Sequence, residues 1–558
     1  MIPISARYDC DFAIVGGGIG GLMAGIAAKD AGAERVIIFE KCHALRSGSG
    51  AMGNDHFRCW LEEEHGPLED LVRQTLASPI GQVRDPLLLR QSLEKSFDIV
   101  KMWDEWGIEM RPTGKYEFMG HAFPGKPRPT LKYNGTKQKK VLTDQAKKRG
   151  VEILNHHPVL ELFKQEGRIA GLLALDMTKE EPSFVLVRSK TVLLSTGHTS
   201  RLYITGPTPA YMFNTSHCPN NAGGQALGWR IGAKLVNMEI PYRHAGPKFF
   251  ARSGKGTWIG VYRYPDGRPI GPFATKPDIY YGDITGDVWN TAFSDVLRDG
   301  SGPAYQDCSG ATPEQLAFQR KAFFSEGLSA MVNYMDDKKL DPAENAFEFM
   351  PYEPTLHGRG IEINERAETS VPGLFAAGDM VGNGGAGIHP AAYFGMIGGQ
   401  NAAADARNLD FLPLEENEQV QERMAFYSSF AERKVGPDWR EANFALQQIM
   451  SDYAPAGPER VRTENILNAG IAYLEQMRQE MFETAIAPNS HTLMRLAEVI
   501  DLSDCGLAIM HAAKARQESR AYHRRADFRF TNPLLAEKQL NVFLENGEVK
   551  TEYRNKWK

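Results

Sequence analysis

Arg243, His244, Lys248, Arg252, His357, Arg359 and His389 fall in glycine-bearing segments, and together they offer more cationic and hydrogen-donating capacity than a structural loop needs. Groups of this kind in a pocket poor in water neutralise the oxygens of an anionic substrate and the charge that develops on it during reaction. His389 belongs to "GDMVGNGGAGIHPAAYFGMIGG", Gly378 to Gly399, where one acid, Asp379, is followed by seven glycines and no Arg or Lys. Glycine at this density lets a backbone approach a large ligand. The expectation is that these glycines admit the ligand, Asp379 binds it and His389 stands beside its reactive part. The uncharged run Met380 to Ala404 is too rich in glycine and asparagine, and too interrupted by Pro390, for a lipid-facing helix, so it reads as a buried ligand-contacting turn.

The ligand is indicated near the start of the chain. In "CDFAIVGGGIGGLMAGIAAKDAGAERVIIFEKC" an apolar strand at about Phe12 to Val15 runs into Gly16, Gly18 and Gly21 in GxGxxG spacing, an alanine-rich helix follows, and a second strand ends at Glu40. The first glycine permits the tight turn, the second admits a pyrophosphate, the third lets helix and strand pack closely, and helix N-terminal amides face the phosphates. Glu40 is placed to accept a ribose hydroxyl. Two later strands end in small residues, one in Ser195, Thr196 and Gly197, the other in Gly378 and Asp379. These pieces resemble the later motifs of two-dinucleotide-type flavoproteins and favour FAD over NAD.

The elements that must hold these groups come from a long chain. Its 558 residues require division into several domains. A net charge of -5 without long single-sign runs gives no electrostatic reason for nucleic acid or an anionic membrane as partner. Cys10, Cys42, Cys59, Cys218, Cys308 and Cys505 form no CxxC pair, which argues against a disulfide framework, a zinc site or an intrinsic iron–sulfur cluster. A reducing, cytoplasmic setting, no signal peptide, no membrane insertion and no metal are expected. Cys308 lacks an adjacent base, Tyr393 reads as packing, and His156 with His157 reads as structural, beside Pro158 and Val159 at the adenine.

"NAGGQALGWRIGAKLVNMEI" and "AAKARQESRAYHRRADF" resemble two segments of the fumarate reductase and succinate dehydrogenase flavoprotein superfamily. The resemblance implies an α/β fold: a Rossmann-like FAD-binding domain (1–246 and 351–412) with an inserted α+β capping domain (247–350), then a helical C-terminal domain with an extended tail (413–558). The capping segment reads as a lid with little regular repeat, and Arg516 to Arg520 as part of an interdomain ion-pair network. The cofactor contacts implied are Gly16, Gly18, Gly20, Gly21, Glu40, Lys41, Ser47, Gly48, Ser49, Asn54, Val159, Ser195, Thr196, Gly197, Gly378, Asp379 and His389.

Departures from that family narrow the chemistry. Gly48 stands where several relatives carry the histidine that bonds FAD covalently, so the FAD is expected to be noncovalent. The stretch Gly378 to Gly399 lacks the family's substrate-clamping arginine, and "FHPT" is absent, which disfavours fumarate itself. "ALRSGSGAMGN", "MEIPYRHAG", "PTLHGRG" and "GIHPAAYFG" are more similar to segments of the adenylylsulfate reductase alpha subunit. That similarity implies catalytic roles for Asn54, His357 and His389, an anion-binding Arg243 or Arg252, a small anionic and sulfur-containing substrate, and a ferredoxin-type iron–sulfur partner in a homo- or hetero-oligomer. Trp258 is a candidate for stacking on a base. Two alternatives stay open: an enoate reductase or dehydrogenase for an unusual carboxylate, with Arg263 or Arg298 as acid, and a flavin electron-transfer subunit without its own substrate.

Overall fold

The apolar strand before the first glycine turn is the centre of the molecule. Ile4–Val15 buries its last four residues completely and pairs in parallel with Val36–Glu40 on one side and Ser183–Leu194 on the other. Central parallel strands, covered on both faces, are apolar throughout rather than alternating. One seven-stranded sheet runs Glu152–Asn155, Val36–Glu40, Ile4–Val15, Ser183–Leu194, Arg168–Asp176, Val159–Gln165, with Leu374–Ala376 paired in parallel to the end of Ser183–Leu194. Because Val15 and Ala376 both pair with Leu194, the chain leaves three neighbouring strands at one sheet end. Gly16, Ser195 and Gly378 therefore converge, although they are far apart in sequence. The computed structural model describes residues 1–51, 53–78, 81–119, 126–204, 222–248, 258–271, 275–279, 289, 291–414, 417–458 and 460–558.

The run read as one ligand-contacting turn has two parts. The turn extends to Gly387, and Ile388–Ala406 is a helix packed on Ile19–Asp30. Its glycines serve that packing: a Cβ on Gly395 would stand 2.3 Å from the Gly20 carbonyl oxygen, and one on Gly399 2.2 Å from that of Ala24. Buried small residues on a helix also explain the missing charge. No helix among the described residues is long and apolar enough to cross a membrane.

The capping segment, expected as an α+β insert with little regular repeat, is a small sheet with helices. Strands Ala245–Pro247, Phe347–Pro351, Ala304–Asp307 and Val261–Arg263 form an antiparallel sheet beside helices Ala292–Arg298, Pro313–Ser325 and Ser329–Lys338. Its separate core contains Trp258, 1% exposed and within 5.0 to 5.5 Å of the rings of Phe323, Phe347 and Phe349. Trp258 is therefore a core residue and does not stack on a base.

A smaller antiparallel sheet joins His56–Arg58, Thr130–Lys132 and Glu117–Phe118. After helices Glu418–Glu432, Trp439–Tyr453, Glu464–Thr484 and Ser490–Ala515, the tail turns back as the hairpin Lys538–Glu545 and Glu548–Asn555, adding to Leu235–Val236. Arg516 reaches Glu239 at 2.5 Å and Glu518 at 2.8 Å, the ion-pair network expected of that segment. Arg554 closes on Asp85 at 2.6 Å, and Asp85 also accepts from the Trp557 amide at 3.0 Å and from Asn383 Nδ2 at 2.8 Å.

Candidate active site

The convergent strand ends open into a cleft of about 460 Å³. Gly16, Gly18, Gly20, Glu40, Lys41, Ser47, Gly48, Ser49, Asn54, Val159, Ser195, Thr196, Gly197, Gly378, Asp379 and His389 all line it. Gly21 does not. A Cβ there would lie 2.0 Å from the Gly16 carbonyl oxygen, so Gly21 provides the close helix–strand contact instead.

Whether these residues suit a flavin dinucleotide is tested by what their missing side chains would meet. A Cβ on Gly48 or Gly387 would find nothing within 4 Å, one on Gly18 only the Ser195 oxygen at 3.8 Å, and one on Gly378 only Ala391 at 3.9 Å. The glycines therefore border open space, as a cradle for an extended ligand requires. Gly18 caps helix Ile19–Asp30, whose amide dipoles suit phosphate. The Glu40 carboxylate is fixed by the Gly17 amide at 2.7 Å and the Cys42 amide at 2.8 Å, which orients it toward a hydroxyl donor. Buried Lys139 donates to the Gly17 carbonyl and brings a cation to the same turn.

The far C-terminal helix supplies another wall that sequence reading missed. Met494, Ala497, Glu498 and Asp501 line the cleft at i, i+3, i+4 and i+7 spacing, one face of Ser490–Ala515. Burial opposes ionisation of Glu498, but Lys41, Arg201 and Arg495 hold it well below its ordinary value. Burial instead pushes Asp501 up to about 7 against the pull of Arg230.

Three guanidinium groups also reach the cleft wall. Arg58, Arg84, His244, His357 and Arg359 line the cleft with Tyr242. Arg359 donates to the Ile240 and Gly358 carbonyls at 2.6 and 2.7 Å; burial lowers it to about 10, so it keeps its charge at neutral pH. His357 Nδ1 lies 3.5 Å from Asp379 Oδ2, while Asp379 Oδ1 accepts from the Gly387 amide at 2.8 Å. Burial lowers His357 despite Asp379, with Arg359 and Arg84 adding to the effect.

His389 was expected as a group able to stabilise negative charge, and its ring is held differently. Nε2 faces the Ser92 carbonyl at 2.9 Å, and burial, reinforced by Arg58 and Arg84, pushes the imidazole down to about 3. The ring is neutral at physiological pH, with Nε2 as donor and Nδ1 as bare acceptor. Burial takes His198 to about 4 in the same way. Unfolded histidine titrates near 6.5. Stability from both groups is thus fully present above about pH 6.5 and is lost as pH falls toward 4 and 3, because the unfolded chain takes up protons that the folded chain refuses. His389→Asn is expected to flatten the fall of melting temperature between pH 7 and 4.5, by up to about 1.4 kcal/mol per pH unit; an unchanged slope in thermal melts would refute this.

The other described candidates fall outside the cleft. Arg243 donates to the Tyr352 carbonyl at 2.8 Å and the Ala456 carbonyl at 3.2 Å and does not line it, so it joins segments rather than meeting a substrate. Arg252 lies outside the described residues. Lys248 pairs with Glu348 at 2.8 Å, Arg263 with Asp307 at 2.6 Å and Arg298 with Asp295 at 3.3 Å. Cys308 is buried, with its thiol pushed up to about 12. Tyr393 is 1% exposed against Phe394, as packing requires.

The family described as FAD binding domain matches residues 11–394, and that described as fumarate reductase flavoprotein C-term matches 444–555. A fumarate reductase (CoM/CoB) subunit from Methanothermobacter marburgensis is 23% identical over 95% of this chain and 96% of its own. The fumarate reductase flavoprotein subunit of Escherichia coli is 24% identical over 93% and 89%. Among solved structures, adenylylsulfate reductase from Archaeoglobus fulgidus superposes with a TM-score of 0.84 at 19% identity, covering 100% of this chain and 97% of that one. Escherichia coli quinol fumarate reductase FrdA gives 0.82 at 20%, over 99% and 97%.

Proposed function

From the premise that this chain belongs to the FAD-binding flavoprotein family of fumarate reductase and succinate dehydrogenase, and is an FAD-dependent oxidoreductase, we propose that it acts on a small oxyanion, with a sulfur-containing anion as the leading class. The observation that carries this reading is the set of guanidinium groups in the cleft wall, Arg58, Arg84 and Arg359, with Arg58 and Arg84 both acting on His389 and Arg84 and Arg359 both on His357. Guanidinium groups match oxyanion geometry, and a recessed site strengthens each contact. The glycine-lined cleft, Gly48 included, would hold FAD noncovalently, and the bound group would supply the two-electron exchange. The protein's own residues bind and orient the anion and offset its charge. Electrons then pass to or from a ferredoxin-type iron–sulfur partner in an oligomer, as adenylylsulfate reductase-like proteins imply. The five described cysteines are free, in keeping with a reducing, cytoplasmic setting.

Absorption spectroscopy of the FAD-loaded protein during sulfite titration tests the sulfur reading. Bleaching of the flavin band at low sulfite, with no dye-coupled turnover of fumarate, is the expected result. Turnover of fumarate without sulfite bleaching would replace it with the unsaturated dicarboxylate reading. That second reading is favoured by the presence of more than one cleft guanidinium, Arg58, Arg84 and Arg359, which suits a substrate with two carboxylates.

A further inference from the structure

The three-stranded sheet His56–Arg58, Thr130–Lys132 and Glu117–Phe118 belongs to no sequence motif, yet one of its faces meets the cleft. Residues two apart on a strand share a face. His56 and Arg58 both line the cleft, as does Thr130, which stands opposite Arg58 in the register. Phe57 points the other way and is fully buried against Trp103 and Tyr133.

His56 is held by a carboxylate that is itself held. Its Nδ1 lies 2.6 Å from Asp55 Oδ1, and Asp55 Oδ2 accepts from Lys132 Nζ at 2.9 Å. Glu326, which follows helix Pro313–Ser325 in the lid, also lines the cleft and brings Oε1 to 3.7 Å from the same Nδ1. Among the described residues of 247–350 it is the one lid residue lining the cleft. A carboxylate on Nδ1 fixes the ring orientation and tautomer, and puts the transferable proton on Nε2.

We propose that His56 is the acid–base residue of this site, an imidazolium held by Asp55 and Lys132 from below and by Glu326 of the lid from above, giving a proton from Nε2 to the substrate. The proposal rests on the oxyanion reading above. In reductive cleavage of a phosphosulfate anhydride such as adenylylsulfate, the S–O bond would break with its bonding pair left on the phosphate oxygen, and the two electrons that bring sulfur to sulfite are the chemistry that bound, reduced FAD would supply. The His56 proton goes to that oxygen, and solvent returns one to Nε2. Arg58, two residues along the same face, is placed to hold the sulfonyl oxygens. Among the described residues, the charged groups facing His56 include Asp55 and Glu326, which favour the imidazolium, and Lys132, which opposes it. Burial alone would lower the imidazole, but the hydrogen bond and charge of Asp55, with Glu326, raise it above the ordinary histidine value.

The test uses FAD-loaded, full-length protein labelled with [13Cε1]histidine, with the His56 resonance assigned by its loss in His56→Gln. A midpoint above the ordinary histidine value is expected, falling in Asp55→Asn and, by less, in Glu326→Gln. With adenylylsulfate as probe, His56→Ala should lower kcat at least tenfold with KM and FAD content within twofold, remove the high-pH limb of the kcat profile, and regain at least fivefold activity with added imidazole. An ordinary or lowered midpoint, or a kcat profile unchanged in the variant, overturns the proposal. Should the wild type act on neither adenylylsulfate nor fumarate, the oxyanion reading has failed, and the resonance alone decides: a midpoint that Asp55→Asn leaves in place sinks His56 as the held acid.

Discussion

Gly18→Leu yields a folded protein that purifies without flavin. The backbone at Gly18, with φ of -71°, accepts a side chain, and the first carbon would meet only the Ser195 oxygen at 3.8 Å. The rest of the leucine then fills the space over the helix N-terminus that phosphate would occupy. FAD affinity should fall on the order of 100-fold or more, about 2.7 kcal/mol, while the variant melts with flavin-free wild type. Gly21→Ala, three residues on, should behave in the opposite way. Its Cβ would sit 2.0 Å from the Gly16 carbonyl oxygen, so the strand and helix must separate, at a cost of about 3 kcal/mol in chemical denaturation. Wild-type flavin content in Gly18→Leu would show that the cofactor does not lie along this turn.

Replacing Arg58 or Arg84 with methionine removes the anion site while leaving the flavin in place. Each guanidinium lines the cleft, and that of Arg84 comes so close to Gly385 that a Cβ there would stand 3.0 Å from it. Loss of one charged hydrogen-bonding group from a recessed oxyanion site costs on the order of 100-fold, so the sulfite concentration that half-bleaches the flavin should rise by about that factor in either variant. Arg243→Met is the control. Its guanidinium is bonded to the Tyr352 and Ala456 carbonyls, and its loss should reduce stability with little change in the sulfite titration. If Arg243→Met shifts the titration as far as Arg84→Met, the anion lies elsewhere.

These two sites differ in how far the sequence reveals them. The dinucleotide site is legible because its signal is local: strand, glycine turn, helix and terminal acid follow one another, and each residue type answers to a short-range constraint on the backbone. Glu40 and the Gly16–Gly21 turn need little beyond their own neighbourhood to be understood. The convergence of Ser195 and Gly378 with that turn is legible from strand-end motifs and is completed by parallel pairing with Leu194. Arg58 and Arg84 carry no such signal. Arg58 sits on a strand of three residues, too short for an alternating pattern to register, and Arg84 follows a single turn of helix in an ordinary loop. Their meeting depends on tertiary packing, as does the neutral state of His389, which comes from burial and from the Ser92 carbonyl. Composition leaves the strands of the capping segment hard to place, because short strands between Gly, Pro, Tyr and Asp turns have much the same composition as loops. The glycines of the Gly378–Gly399 stretch serve two purposes that composition cannot separate, an open cradle at Gly378 and Gly387 and helix contact at Gly395 and Gly399.

The clasp between Arg554 and Asp85 sets an order in time. The two residues are 469 positions apart, and the same carboxylate receives the Trp557 amide beside Arg84 in the cleft wall. Translation at about 5–20 residues per second leaves Asp85 waiting about 25–90 s for its partner. A nascent chain can close its glycine turn early, as a contiguous strand and helix, but the cleft wall at Arg84 acquires its final support only after Arg554 and Trp557 have been made. On the proposed oxyanion reading, flavin capture and substrate competence become separate events in the biogenesis of this protein. A chain interrupted before its terminal hairpin would be expected to carry the cofactor turn without a braced site for the anion.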